Sequence, residues 1–201
     1  MLSHLDLNAF QFINHFAVSE MVLNPFMILL AERAEYIFFA GLIFYWFYKI
    51  SKSENRRMVV EACLAACLAL GINVLIGMFI YRDRPFVHHH VNWLIPHAKN
   101  DSFPSDHATG SFVIAMAIWQ WKKRDGWLWL LLAAGISLSR VWTGVHYPAD
   151  VIAGMIIGTV SAFTVHKLAN SSKMVGKLIT LLINLYTKIE GLIFKRKAIN
   201  S

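Results

Sequence analysis

The chain has 201 residues, 57% of them hydrophobic and 15% charged, with a formal net charge of +7 and a mean hydropathy of +0.49. A soluble domain carries about a quarter charged residues, so this composition argues against a soluble fold and for membrane spans. The positive charge does not point to nucleic acid, because most Lys and Arg fall in short loops between apolar runs and at the tail, where the positive-inside rule puts them.

In chain order, residues 5–30 come first. Leu5, Leu7, Phe10, Phe12, Ile13 and Phe16 alternate with Asp6, Asn8, Gln11, Asn14 and His15, and Asn24-Pro25 interrupts the run. This pattern predicts two short amphipathic helices in the membrane interface, with a single kinked span as the alternative. The first residues lack a basic region, so no cleavable signal peptide is expected. Five apolar runs then read as spans, at 34–50, 58–80, 107–121, 127–143 and 148–168. The third and fourth are short for a full crossing. Residues 174–194 are apolar with Lys177, Lys188 and Glu190 spaced along them. They read as a sixth span in preference to an interfacial helix, and Lys195-Arg196-Lys197 as a solvated tail. The expected fold is an all-α, polytopic membrane helical bundle, one domain over 1–201 with its motif core at 77–150.

Charge sets the expected topology. Lys49, Lys52, Arg56 and Arg57 bracket one loop, Lys122, Lys123 and Arg124 fill another, and Lys167, Lys173 and Lys177 follow the fifth span. Alternation puts all three on one side, expected to be cytoplasmic. Loops 81–106 and 144–147 then share the outer face. A basic C-terminal tail would join them there if the sixth span exists, which counts against that span.

Three polar elements converge on that outer face: Arg82-Asp83-Arg84-Pro85, Pro104-Ser105-Asp106-His107, and Ser139-Arg140 with His146 and Asp150. Charged groups near lipid are costly unless paired or used. Pro148 suits the first turn of a helix. Asp150 follows His146 by four residues, so its carboxylate can reach the imidazole and fix its tautomer. Ser105 or Asp106 can cap the third span, whose N-terminus favours a phosphate. Arg84 and Arg140 add planar forks for its oxygens. Such parts permit an imidazole to attack phosphorus, a second imidazole to protonate the departing oxygen, and guanidinium and N–H donors to stabilise the equatorial oxygens. No metal is needed, because the arginines supply the positive charge.

These residues resemble the type 2 phosphatidic acid phosphatase superfamily of lipid phosphatases, with its motifs Lys-x6-Arg-Pro, Pro-Ser-Gly-His and Ser-Arg-x5-His-x3-Asp. The third is complete as Ser139, Arg140, His146 and Asp150; the second has Asp106 in place of Gly; the first keeps Arg84-Pro85 but has Gly77 at the lysine position. These departures, with Arg84-Pro85-Phe86-Val87 and Leu94-Ile95-Pro96-His97-Ala98, are similar to bacterial undecaprenyl pyrophosphate phosphatases of the bacitracin-resistance type. The resemblance implies His146 as the nucleophile, Asp150 as its orienter and His107 as the acid, with Arg84, Ser105 and Arg140 on phosphate. Arg82 is the candidate substitute for the lysine. Asp106 joins the group at the phosphate, with helix capping or holding an arginine as its other uses. The implied activity is hydrolysis of undecaprenyl pyrophosphate at the outer face of the bacterial cytoplasmic membrane, without a cofactor. This recycles the carrier lipid for the cell wall and lowers bacitracin sensitivity. A broader phosphatase acting on phosphatidylglycerol phosphate or phosphatidic acid would use the same residues. A lipid transporter or flippase binding headgroups is a rival of another class.

Other features read plainly. Cys63 and Cys67, at i and i+4 in one apolar helix, are expected as small packing residues. His88-His89-His90 with His97 lack an acidic or Cys partner at metal spacing and read as a solvated loop. Gly154-x3-Gly158 is a small-residue packing motif, internal by default, with a homodimer contact as the alternative. Trp93, Trp119, Trp121, Trp127, Trp129 and Trp142 fit an aromatic belt.

Overall fold

The computed structural model describes residues 2–48 and 52–199, and every regular element among them is helical. The elements are α1 (Leu2–Ser19), α2 (Asn24–Glu32), α3 (Glu35–Phe47), α4 (Lys52–Phe79), the short α5 (Pro85–His88), α6 (Asp106–Trp121), α7 (Lys123–Trp142), α8 (Pro148–Ser171) and α9 (Lys173–Ile199). Local chemistry sets several starts. Pro25, Pro85 and Pro148 each lie in a first turn, where a missing N–H costs nothing.

The centre is α6, packed between α4, α7 and α8. Small residues make the approach close: Ala62, Ala65 and Ala69 on α4, Ala108 and Ala115 on α6, and Gly154 and Gly158 on α8. A Cβ at Gly158 would lie 2.6 Å from the Thr109 carbonyl oxygen, and one at Gly154 would lie 2.7 Å from that of Ser105. The Gly154-x3-Gly158 stripe is therefore spent on the α6–α8 contact. Backbones can come together this way in lipid, where the hydrophobic effect does not drive helices together.

The basic segments lie together at one end of the bundle. Glu61 of α4 accepts from Arg57 Nε at 3.0 Å and Trp121 Nε1 at 3.0 Å, and its Oε2 lies 2.7 Å from His166 Nδ1. This ties the start of α4 to the ends of α6 and α8. At the other end Asn73 of α4 donates to Asp106 at 2.8 Å and Thr109 at 2.9 Å, beside the start of α6. The loops carrying 82–105 and 143–147 sit there.

Several expectations change. By length and composition α4 and α8 can each cross a bilayer, and His4–Ser19 of α1 with Met21–Glu32, a 3₁₀ turn running into α2, passes the same test as a pair bent by 90°. The run at 34–50 is a helix of 13 residues, α3, ending at Phe47; Lys49 lies outside the described residues. Segment 174–194 is helical but does not meet the spanning test. Instead α9 stays at the basic end: Ile179 packs with Val60 and Ala169, and Glu190 takes Arg56 at 2.7 Å and Lys52 at 3.5 Å. The two N-terminal helices exist, yet α1 is more than an interfacial float. Its Phe10 is fully buried against Tyr147 and Val151. Asn14 clamps Asn92 and the Trp142 carbonyl, at 3.0 and 2.7 Å. Cys63 and Cys67 face outward rather than packing. Trp142 is buried against Phe16, inside the fold rather than in a belt.

Gly158→Leu forces side-chain atoms into the α6 backbone. It is expected to destabilise the protein by about 1–3 kcal/mol or more, read as a lowered midpoint of thermal unfolding in detergent.

Candidate active site

The segment after α7 has to reverse within a few residues. Gly144 does this at φ +84°, where a Cβ would lie 2.9 Å from the Asn92 carbonyl oxygen, so only glycine fits without strain. The N–H groups of Val145 and His146 both return to the Arg140 carbonyl, at 3.1 and 3.2 Å. His146 is thereby held just before α8, 3% exposed.

Asp150, fully buried, follows one turn into α8. Its Oδ2 accepts the Tyr147 N–H at 2.8 Å and the Ser102 hydroxyl, and lies 3.5 Å from His146 Nδ1. Its Oδ1 takes Arg82 Nη1 at 2.6 Å. On the other side of the ring, His146 Nε2 is 3.0 Å from Arg84 Nη1. A guanidinium only donates, so Nε2 carries its lone pair and the ring proton sits on Nδ1, toward Asp150 and Ser102. Burial, then Arg140, Arg84 and His97, hold the His146 pKa well below the usual 6.5. The ring is a neutral base whose Nε2 lone pair faces the Arg84 guanidinium in a cationic setting.

Arg84, 5% exposed, is fixed at every nitrogen: Nε on Asn100 at 3.0 Å, Nη1 on the Val145 carbonyl at 2.9 Å, and Nη2 on the Asp101 carbonyl at 2.8 Å. Arg140, 2% exposed, uses Nη1 on the Ala31 carbonyl at 2.8 Å. Its Nε and Nη2 have no hydrogen-bond partner, and neither does the buried Ser105 Oγ. Buried donors left unpaired are costly, more so on a charged group. An anion placed against them removes that cost.

His107 occupies the first turn of α6. It lines a cavity of about 130 Å³ together with His146, Arg84 and His97. A wider cavity of about 310 Å³ adjoins, lined by His97, His107 and Arg140. The two distant imidazoles thus face one space, as the motif spacing requires. On its other side His107 Nε2 is 3.3 Å from Glu35 Oε2 at the start of α3.

Two residues expected at the phosphate are placed differently. Arg82 stands behind Asp150, with its Nη atoms on Asp150 and Asp6 and its guanidinium 3.8 Å above the Tyr147 ring. Both ends of its fork are taken by carboxylates, so it braces Asp150 instead of replacing the missing lysine. At position 77 the space is filled: a Cβ there would lie 2.9 Å from Asp101 Oδ2. Asp106 turns its carboxylate to Asn73, at 2.8 Å. It borders the cavity but holds no arginine and caps no N–H.

Motif reasoning missed Ser102, Asp6, Glu35, Asn73 and His97. Asp6 left one signal: it is the single acidic residue of α1, set in an apolar helix and free to seek a cation. His97, read as part of a solvated loop, borders both cavities; its ring centroid lies 6.3 Å from that of His146. Among the described residues no cluster of three or more His, Cys, Asp or Glu has metal-binding geometry.

The comparisons with known proteins meet this geometry. The PAP2 superfamily model matches residues 58–173, which contain all three motifs. The chain belongs to the PAP2 superfamily. Over 97% of its length it is 38% identical to the Bacitracin transport permease protein BcrC of Bacillus licheniformis, covering 94% of that protein. It is 29% identical to Undecaprenyl-diphosphatase BcrC of Bacillus subtilis, across 96% of this chain and 97% of that one. The crystal structure of Aquifex aeolicus LpxE superposes with a TM-score of 0.70 at 28% identity, covering 81% of this chain and 95% of that one. With its apolar helices and these PAP2 relatives, the chain is a membrane protein.

The buried His146 and the half-buried His97 give a pH prediction. The folded-state pKa values of His146 and His97 lie below the usual 6.5, so the unfolded chain binds protons that the folded one does not. Stability is then complete above about pH 6.5 and falls as pH drops below it, by up to about 1.4 kcal/mol per pH unit for His146 and by less for the solvent-screened His97. Melting in detergent between about pH 7.5 and 5 is expected to show this slope, and His146→Gln to flatten it.

Proposed function

We propose that this PAP2 protein hydrolyses undecaprenyl diphosphate to undecaprenyl phosphate and inorganic phosphate. The observation that carries the reading is the set of unpartnered buried donors, Arg140 Nε and Nη2 and Ser105 Oγ, beside space lined by two imidazoles. That arrangement suits a tetrahedral anion flanked by a nucleophile and an acid. The diphosphate lipid is taken from the name of the Bacillus subtilis relative, which matches nearly end to end.

In the proposed mechanism the His146 Nε2 lone pair attacks the terminal phosphorus. The bond from that phosphorus to the bridging oxygen breaks, and undecaprenyl phosphate leaves with a proton from His107. Arg84, Arg140, Ser105 and the N-terminus of α6 stabilise the equatorial oxygens. Asp150, braced by Arg82, compensates the charge that develops on the His146 ring. Water then attacks the phosphohistidine, with His107 taking its proton, and inorganic phosphate leaves with His146 restored. The arginines supply the positive charge, so no cofactor enters the scheme.

The reading makes the protein a multi-pass component of the bacterial cytoplasmic membrane, with the site on the outer face. Its support is the gathering of Lys52, Lys123, Lys167 and Lys173 at the end away from the site. Faster clearing of the diphosphate lipid would lower sensitivity to bacitracin, which sequesters it. The name of the Bacillus licheniformis relative speaks of transport. Against transport stand the polar groups gathered at one end of the bundle rather than at mid-depth, where transporters bind substrate.

Phosphate release from undecaprenyl diphosphate by the purified protein in EDTA is the direct test. His146→Ala is expected to lower turnover on the order of 10⁴-fold or more while the protein stays folded. Rapid quench with labelled substrate should find a phosphohistidine in the parent and none in that variant. Arg140→Ala is expected to lower kcat/KM about 10²–10³-fold. Preference for a glycerolipid monophosphate would overturn the substrate, and lipid movement without phosphate release would overturn the enzyme.

A further inference from the structure

A third space reaches the site from the side of the bundle. It is an apolar groove of about 210 Å³ between α3, α4 and α6. Its walls are Phe38 and Phe39 from α3, Ala66 and Leu70 from α4, and Gly110 and Ile114 from α6. Its polar mouth is formed by His107, Glu35 and Asp106. His107 lines this groove and both polar cavities, whereas His146 lines the 130 Å³ cavity and not the groove.

We propose that this groove holds the first isoprene units of the substrate's polyprenyl chain, and that Gly110 keeps it open. The proposal rests on the phosphatase reading and deepens it. In-line displacement puts the leaving oxygen opposite the nucleophile. In a diphosphate lipid that oxygen belongs to the fragment carrying the chain. The chain must therefore depart on the His107 side, and the groove starts at His107. The linings give the same orientation: among the described residues no Lys or Arg lines the groove, which suits the apolar part of the ligand, whereas Arg84 and Arg140 line the two polar cavities and suit the anion. Size fits as well, since an apolar cavity of about 150 Å³ takes a benzene-sized group. The floor is open because of composition. A Cβ at Gly110 would meet nothing within 4 Å, and Ala66 faces the groove from α4.

The test fills the groove. Gly110→Leu projects an isobutyl group into it, and Gly71→Leu, on α4 outside the groove and also with nothing within 4 Å, is the control. For each, kcat/KM is measured on undecaprenyl diphosphate and on methyl diphosphate, which has the same scissile bond and no chain. The long-to-short ratio is expected to fall about tenfold or more in Gly110→Leu and to stay at the parental value in Gly71→Leu. An unchanged ratio, or equal loss on both substrates, overturns the groove assignment. If Gly110→Leu does not fold, a substrate with a diazirine on its first isoprene unit decides on the parent protein. Labelling of 38–39, 66–70 or 110–114 supports the proposal, and labelling confined to other segments overturns it. Failure of the phosphatase reading looks different: the parent would then release phosphate from neither diphosphate. Phosphate release from a monophosphate lipid in that case replaces the substrate. The ratio is then taken against methyl phosphate, where a tenfold fall supports the groove and an unchanged ratio overturns it.

Discussion

The buried carboxylate of Asp150 is the constraint around which this end of the molecule is arranged. A carboxylate with no exposure is tolerable only if donors surround it. Here they come from three places in the chain: the Tyr147 N–H, the Ser102 hydroxyl and the Arg82 guanidinium. Meeting those demands fixes the start of α8, pulls the 82–102 segment over the bundle and sets the His146 tautomer. Arg82 needs a second counterion for its other Nη, and α1 supplies it as Asp6, whose Oδ1 also accepts the Ala149 N–H at 2.9 Å. One buried charge thus recruits α1, α8 and the long loop into a single polar assembly. Removing Arg82 would leave the Asp150 carboxylate buried without a counterion, which costs about 3–5 kcal/mol, whereas Arg82 keeps Asp6 if Asp150 is lost.

In front of that assembly the balance reverses. Behind His146 the charges are paired; before it, Arg84 is saturated by neutral carbonyl and amide oxygens, and Arg140 is only partly satisfied. Neutral acceptors hold a guanidinium in place without cancelling its charge. The cavity therefore keeps a positive field and rigid donors, the preorganisation that stabilises charge growing on phosphoryl oxygens. Burial first, and this field after it, disfavours a proton on His146 and lowers its pKa. A neutral imidazole beside fixed cations follows from its burial and from where the counterions are and are not.

Much of this was legible in the sequence because it is local. His146 and Asp150 meet because four residues make one helical turn after Pro148. Gly154 and Gly158 share a face for the same reason, and Ser105 and His107 travel with one helix start. What stayed hidden depends on which helices become neighbours. Glu35 reaches His107 only because α3 lies along α6, and nothing in the spacing of residues 35 and 107 indicates this. Arg82 is the instructive miss: basic character and nearness to Arg84 pointed to phosphate, but two unpaired carboxylates elsewhere had a prior claim on it. Span lengths misled in the same way. The run 174–194 is apolar enough to suggest a span, but its interspersed charges keep it from meeting the spanning test, and Arg56 and Lys52 take its Glu190 and anchor it at the basic end.

The missing lysine shows how the parts compensate. Gly77 makes room that Asp101 fills, and Asp101 Oδ1 accepts the Arg82 N–H at 2.9 Å while its carbonyl holds Arg84 Nη2. The segment that a lysine at 77 would have displaced becomes the scaffold for both arginines. In the proposed reaction this suits a diphosphate. Its leaving group is a phosphate, far less basic than the alkoxide that a monophosphate ester must expel, so less cationic assistance is needed at the chain-bearing side. That side is where the carboxylates of Glu35 and Asp106 are found and where the apolar groove begins. A site relieved of one cation is better matched to expelling a phosphate, which leaves without strong electrostatic assistance, than an alkoxide, which needs it.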